Sequence, residues 1–220
     1  MCGRYTLTVD PGELMERFDL KAADFAPPAR YNVAPTQQVA VIYDETPQVL
    51  SNAQWGLIPS WSKDPSIGSR MINARAETLL EKPSFRNLVK KRRCLVLADS
   101  LYEWRTNADG TKTPMRIMLK SHEAFGFAGL WDAWKTPEGE WLKTCTIITG
   151  EPNEIVAPIH NRMAVILPRG IEHDWLNHDD EIGHTLSLLK PYPAEDMIAY
   201  EVSKKINSPK NDEPSVLQPV

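Results

Sequence analysis

No stretch of this chain approaches the roughly 18 consecutive apolar residues that a membrane-spanning helix requires, and its first thirty residues lack a basic segment followed by an apolar one. Neither a spanning helix nor a secretory leader is expected, and a cytoplasmic protein is. Cysteine is scarce, at Cys2, Cys94 and Cys145 alone. An odd number of thiols in a reducing compartment makes no disulfide framework. There is no CxxC pair, no HExxH and no glycine-rich phosphate loop of either common spacing, so the usual signatures of redox dithiol, zinc and nucleotide sites are missing. His173, His178 and His184 have acidic neighbours, but spacings of five and six fit no common ligand pattern. An exposed polar helix is the plainer reading, and neither a metal nor another cofactor is expected.

What is present fits one domain. At 220 residues with 42% hydrophobic side chains the chain can build one substantial core and is short for two. Eighteen prolines against eleven glycines, spread along the chain, imply ordered loops between short elements. The net charge of −4 counts against a nucleic-acid partner on its face. Its distribution does not: Arg70, Arg75, Lys82, Arg86, Lys90, Lys91, Arg92 and Arg93 face only Glu77 and Glu81 between residues 70 and 93. Such a run is either a solvated helix face or a phosphate-binding surface, and charge alone leaves both open.

Periodicity and turn chemistry give a coarse order of elements. Residues 4–8 alternate like a strand, and Asp10 with Pro11 caps a helix through Phe18. Residues 31–43 read as a loop entering a strand whose hairpin partner is 48–58, and 72–91 as helix in two pieces broken at Pro83. Residues 94–105 and 113–119 pair across an Asp109-Gly110 turn, and 125–131 with 143–150 across Pro137 and Gly139. A short helix is expected at 152–159, a strand at 163–167, helix over most of 171–189, a strand at 199–203, and a polar, proline-rich tail from about 207. Strands dominate without a βαβ rhythm, so the expected class is α+β, a single domain on a largely antiparallel, barrel-like sheet with short helices between strands.

Cys94 and Cys145 lie in β-branched apolar runs and read as packing residues, whereas residue 2 of a chain is seldom core. Removal of Met1, which the small side chain behind it permits, would give Cys2 both a free α-amine and a thiol. Glu103, between two aromatics in LYEW, is either a solvent-facing strand residue or a desolvated carboxyl with a raised pKa. His160 in PIHNRM sits at a helix-to-strand junction, where a catalytic imidazole and an idle one are both common. Asn73 in INAR and Asn32 in YNVAP are polar residues among apolar ones and could equally be backbone caps.

Taken together, MCGRYT, YNVAP, WGLIPSW, INARAET, LYEW, IHNRM and the closing INSPKNDEP resemble the SOS response-associated peptidase family, whose members shield abasic sites in single-stranded DNA. The resemblance runs from Cys2 to the tail. It implies that Cys2, Asn73, Glu103 and His160 form the active site and that Arg4, Asn32, Trp61 and Arg75 line the DNA-binding surface. Tyr102 stands where the family more often has Phe, and Ala164 where a proline often follows the motif methionine. The implied activity is covalent: the Cys2 amine forms an imine with the ring-opened abasic aldehyde, and its thiol closes a thiazolidine. The implied partner is single-stranded DNA containing abasic sites, bound by a monomer. Two alternatives stay open, a cysteine N-terminal-nucleophile peptidase that frees Cys2 by self-cleavage and a noncovalent single-strand-binding module.

Overall fold

The structure, a computed structural model, describes residues 2–178 and 181–220. Among these the order of elements is β1 (Arg4–Leu7), α1 (Pro11–Arg17), β2 (Ala22–Ala23), β3 (Arg30–Val33), β4 (Gln38–Tyr43), β5 (Val49–Trp55), β6 (Asn73–Arg75), α2 (Leu88–Lys91), β7 (Arg93–Ala98), β8 (Ser100–Thr106), β9 (Lys112–Leu119), β10 (Phe125–Lys135), β11 (Trp141–Gly150), β12 (Met163–Ala164), β13 (Ile166–Leu167), α3 (Ile171–Leu176), α4 (Ile182–Ser187) and β14 (Met197–Glu201). Strands β11, β10, β7, β4 and β5 run side by side, antiparallel at each step. A short parallel pairing of β5 with β11, Gln54 opposite Thr144 and Trp55 opposite Cys145, closes them into a barrel. A second antiparallel sheet, in the order β14–β9–β8–β1–β3, packs against it. This is the single-domain, largely antiparallel α+β architecture that the sequence implies.

One buried carboxylate turns the chain from barrel to sheet. Residues 94–105 look like one strand, but Asp99 divides them into β7 of the barrel and β8 of the second sheet. Asp99 accepts hydrogen bonds from the Thr6 hydroxyl and, at 2.6 Å each, from the Thr8 amide and hydroxyl. Those donors, on β1 and the residue just after it, satisfy a carboxylate that would otherwise be costly to bury, so the corner stays inside. Across the junction Tyr5 of β1 packs on Trp55 and Phe127 of the barrel with ring centroids 5.3 and 5.8 Å apart. Cys94 and Cys145 are buried strand residues, as their neighbours imply.

Three expectations are corrected, and the polar, proline-rich tail is found anchored. Residues 72–91 are not a broken helix: 73–75 form strand β6 along β11, turns follow, and only Leu88–Lys91 is α-helical. The edge of β11 beyond Cys145 offers backbone hydrogen bonds that override local helix propensity. Residues 152–159 are turns rather than a helix, stapled by Asn153, whose side-chain oxygen accepts the amides of Ile155 and Val156 at 3.2 and 3.0 Å. The tail is no loose polar appendage. Ile206 and Val216 are buried with Tyr102 and Val202 in a small second core, and two apolar anchors ten residues apart leave no periodic trace. Finally, the basic run is not all surface: Arg93 is buried and donates to the carbonyls of Trp175, Val89 and Asn177, and Arg92 pairs with Asp132. Arg70, Arg75, Lys82, Arg86, Lys90 and Lys91 remain exposed. Of the three tail-side histidines, His178 pairs with Asp44 at 2.7 Å. No helix among the described residues is long and apolar enough to cross a membrane.

Candidate active site

Cys2 is core after all, only 1% exposed. The antiparallel register of β1 on β8, with Arg4 opposite Tyr102 and Tyr5 opposite Leu101, carries the residues before Arg4 alongside Glu103 and Trp104. Burial pushes the Cys2 thiol pKa up, and the Glu103 carboxylate pushes it further, so the thiol is held protonated. The expected removal of Met1 falls outside the described residues.

Glu103 turns inward. It is 2% exposed, and burial raises its carboxyl from the ordinary range to about 8, with Lys112 pulling weakly the other way. Half or more of the population is therefore neutral at pH 7, able to give up a proton. His160 follows the turn that Asn153 staples. Its Nδ1 lies 3.0 Å from the Arg162 amide nitrogen and 3.1 Å from the Arg162 carbonyl oxygen, so the Arg162 backbone holds the ring in place. Burial lowers its pKa, the Arg162 backbone hydrogen bond raises it, and the Lys112 and Arg162 charges lower it further; the net shift is downward and favours the neutral imidazole. Lys112 acts on both Glu103 and His160, which puts the two groups in one neighbourhood with Cys2.

Asn73 approaches from the barrel. β6 lies parallel to β11 with Asn73 opposite Ile147 and Arg75 opposite Thr149. The Asn73 amide nitrogen makes a long 3.5 Å bond to the Ile147 carbonyl, and its Oδ1 is buried with no donor among the described residues. Arg162 ties the His160 loop to this strand: its guanidinium makes a bidentate pair with Glu77 at 2.7 and 2.9 Å and donates to the Thr149 carbonyl at 2.7 Å. Arg75 is exposed beside it.

The residues implied to touch DNA divide into two kinds. Arg75 and Trp61 stand in solvent, Trp61 at 63% exposure. Trp61 rides on an excursion between β5 and β6, whose neck is closed by the Leu57 amide on the Met71 carbonyl at 3.1 Å. Gly56, at φ +126°, and Gly68 make this neck possible, since a Cβ on Gly56 would stand 2.5 Å from the Gly68 carbonyl oxygen. Arg4 and Asn32 are instead joined to each other. Arg4 Nη1 donates to Asn32 Oδ1 at 2.8 Å, and Asn32, fully buried, spends its amide hydrogens on the carbonyls of Ile206, Ser208 and Asn211. Asn32 thus reaches a ligand only through Arg4. The sequence reading missed Lys112, Glu77 and Asp212, since none stands out from an ordinary exposed charge in one dimension.

Comparison with known proteins places the chain in a family. Residues 1–209 match the family model described as SOS response associated peptidase (SRAP). The chain is 49% identical to "Abasic site processing protein YoqW" of Bacillus subtilis (strain 168), over 99% of each chain. It is 37% identical to "Abasic site processing protein HMCES" of Gallus gallus, over 80% of this chain and 59% of that one. Among solved structures, a crystal structure of a Bacteroides thetaiotaomicron protein superposes with a TM-score of 0.92 at 29% identity, covering 100% of both chains. The N-terminal cysteine beside a buried glutamate and the strand-borne asparagine thus sit on a shared scaffold, and the chain belongs to the SRAP family.

Proposed function

We propose that this protein processes abasic sites in single-stranded DNA by forming a covalent thiazolidine through Cys2. The observation that carries the reading is the enclosure of Cys2 beside a carboxyl with a pKa of about 8 and a neutral imidazole. Once Met1 is removed, the Cys2 α-amine has a pKa near 8, so about a tenth or more is unprotonated at neutral pH, against far less of a lysine near 10.4. Asn73 Oδ1, a buried acceptor lacking a donor among the described residues, is suited to orient that amine.

The amine adds to the C1′ aldehyde of the opened sugar, and the resulting carbinolamine loses water to give an imine. Neutral Glu103 supplies the proton that lets hydroxide leave as water. The nitrogen keeps its hydrogen as an iminium, and the Glu103 carboxylate takes the Cys2 S–H proton as sulfur attacks the iminium carbon and the C=N electron pair returns to nitrogen; the products are a neutral ring N–H, neutral Glu103 and water, so charge and atoms balance. Both nucleophiles belong to one residue, and well-oriented intramolecular reactions reach effective molarities on the order of 10⁵ M or more. His160 would assist opening of the sugar ring by proton transfer. Arg75, with Trp61 as a stacking platform, would hold the flanking strand.

The family description as a peptidase keeps a second reading in view, with Cys2 as an N-terminal nucleophile attacking amides. A raised thiol pKa disfavours it, because amide attack calls for a thiolate, whereas the amine-first route needs the thiol only after the imine exists. Abasic single-stranded DNA incubated with purified protein and run on a denaturing gel tests the proposal. A shifted band that survives denaturation, with intact mass showing loss of one methionine, is expected. Absence of that band from protein shown to begin at Cys2 sinks the reading.

A further inference from the structure

The C-terminal segment does more than cover a sheet edge. Arg4 Nη1 donates to the Ile206 carbonyl at 2.9 Å and Nη2 to the Asn207 carbonyl at 3.2 Å, in addition to the Asn32 bond. Its Nε–H and one Nη2–H meet no acceptor among the described residues. The guanidinium is thus gripped along one edge and left open along the other. Asp212 locks the grip from behind, accepting the backbone amides of Tyr31 and Asn32 at 2.5 and 3.0 Å and Arg30 Nε at 2.5 Å.

The same segment brings charge and an aromatic to this side of Cys2. Residues 204–207 form a single 3₁₀ turn, capped by Ser203 and anchored by buried Ile206, with Lys204 and Lys205 exposed. Asn207 Oδ1 accepts the indole N–H of Trp104 at 2.8 Å, one residue from Glu103. Lys204 lies near Asp109, and Lys112, exposed, lies near Glu103 and His160. Arg4, Trp104, Lys204 and Lys205 therefore form a basic and aromatic strip that joins the site from the second sheet, whereas Arg75 and Trp61 join it from the barrel.

We infer that residues 204–212 are a working part of the DNA site: they clamp Arg4 and add Lys204 and Lys205 as a second phosphate-binding arm, so that a single strand crosses Cys2 between barrel and tail. This rests on the proposed single-strand function and adds its second contact surface. Each phosphate contact on a single strand contributes about −0.7 to the slope of log affinity against log salt.

Binding of a fluorescent, undamaged oligothymidylate is measured across a salt series for the parent chain, Lys204→Ala/Lys205→Ala, Lys204→Arg/Lys205→Arg and Asp212→Asn. The alanine pair should flatten the slope by about 1.4 and weaken binding several-fold at low salt; the arginine pair should restore the parent slope. Asp212→Asn should weaken binding while keeping all cations, the mark of a misplaced Arg4. The lysines are exposed, so melting temperatures of the lysine variants should match the parent's. A salt slope unchanged in the alanine pair, or not restored by arginine, overturns the inference while leaving the covalent reading standing. A parent chain that binds without salt dependence and forms no adduct overturns the proposed function instead.

Discussion

Glu103 is a carboxylic acid kept out of water on β8, and its burial has consequences for both rate and stability. Glu103→Gln keeps the volume and both Cys2 nucleophiles but removes the transferable proton, so adduct formation should slow by about 10² to 10⁴ without loss of the stable product. Single-turnover gel kinetics would read this directly. Stability supplies a second readout in a chain retaining Met1. The folded carboxyl titrates at about 8 and the unfolded one at 4.5, so between those values the folded state binds more protons and stability falls as pH rises. Glu103→Gln lacks that loss. Its advantage in urea unfolding should grow from little at pH 5 to on the order of 3–5 kcal/mol at pH 9. An advantage that stays flat with pH would mean that Glu103 ionises as freely as an exposed residue. At Cys2 the two nucleophiles can be separated: Cys2→Ser keeps the amine, so it should give little adduct on a denaturing gel alone and a clear band after borohydride reduction. Wild-type amounts of unreduced, stable crosslink from Cys2→Ser would refute ring closure through sulfur.

Single residues decide where several elements begin and end. β7 and β8 share one apolar run, and the break between them comes from Asp99, whose three donors belong to Thr6 of β1 and Thr8 just after it. The loop carrying Trp61 depends in the same way on Gly56 and Gly68. Gly56→Ala would place a methyl group against a backbone oxygen in a left-handed conformation, so neither side can yield cheaply. A destabilisation of about 2 kcal/mol or more is expected in urea unfolding, with single-strand affinity falling as Trp61 shifts. Stability equal to the parent's would show that the neck is looser than this geometry. Strand β6 illustrates the opposite dependence. Little in INAR beyond its Ile favours a strand, yet the open edge of β11 makes one, and Asn73 and Arg75 share a face of it only because that pairing holds them.

Across the whole molecule, the proposed binding of a polyanion by an acidic protein depends on local arrangement. Arg92 and Arg93 are spent on Asp132 and on buried carbonyls, so the outward charge of the basic run is smaller than its sequence implies. Affinity for abasic single strands should therefore fall with added salt, with a slope of a few contacts rather than of a fully basic surface, and Arg75→Ala should flatten it by about 0.7. Equal affinity for intact duplex would contradict a track built on stacking and a few phosphates. The sequence by itself determined the strand-rich class, the Asp10-Pro11 helix start, the Asp109-Gly110 hairpin, and Cys2, Asn73, Glu103 and His160 as site candidates. Each of these is written in turn chemistry, alternation or motif order, which are local properties of the chain. Only the tertiary structure decided that Cys2 is enclosed, that Glu103 points inward, that Asn32 is buried against Arg4 and that the tail grips the Arg4 guanidinium. Those outcomes depend on desolvation and on hydrogen bonds between residues as far apart as Arg4 and Asn207, and no local pattern encodes a partner two hundred positions away.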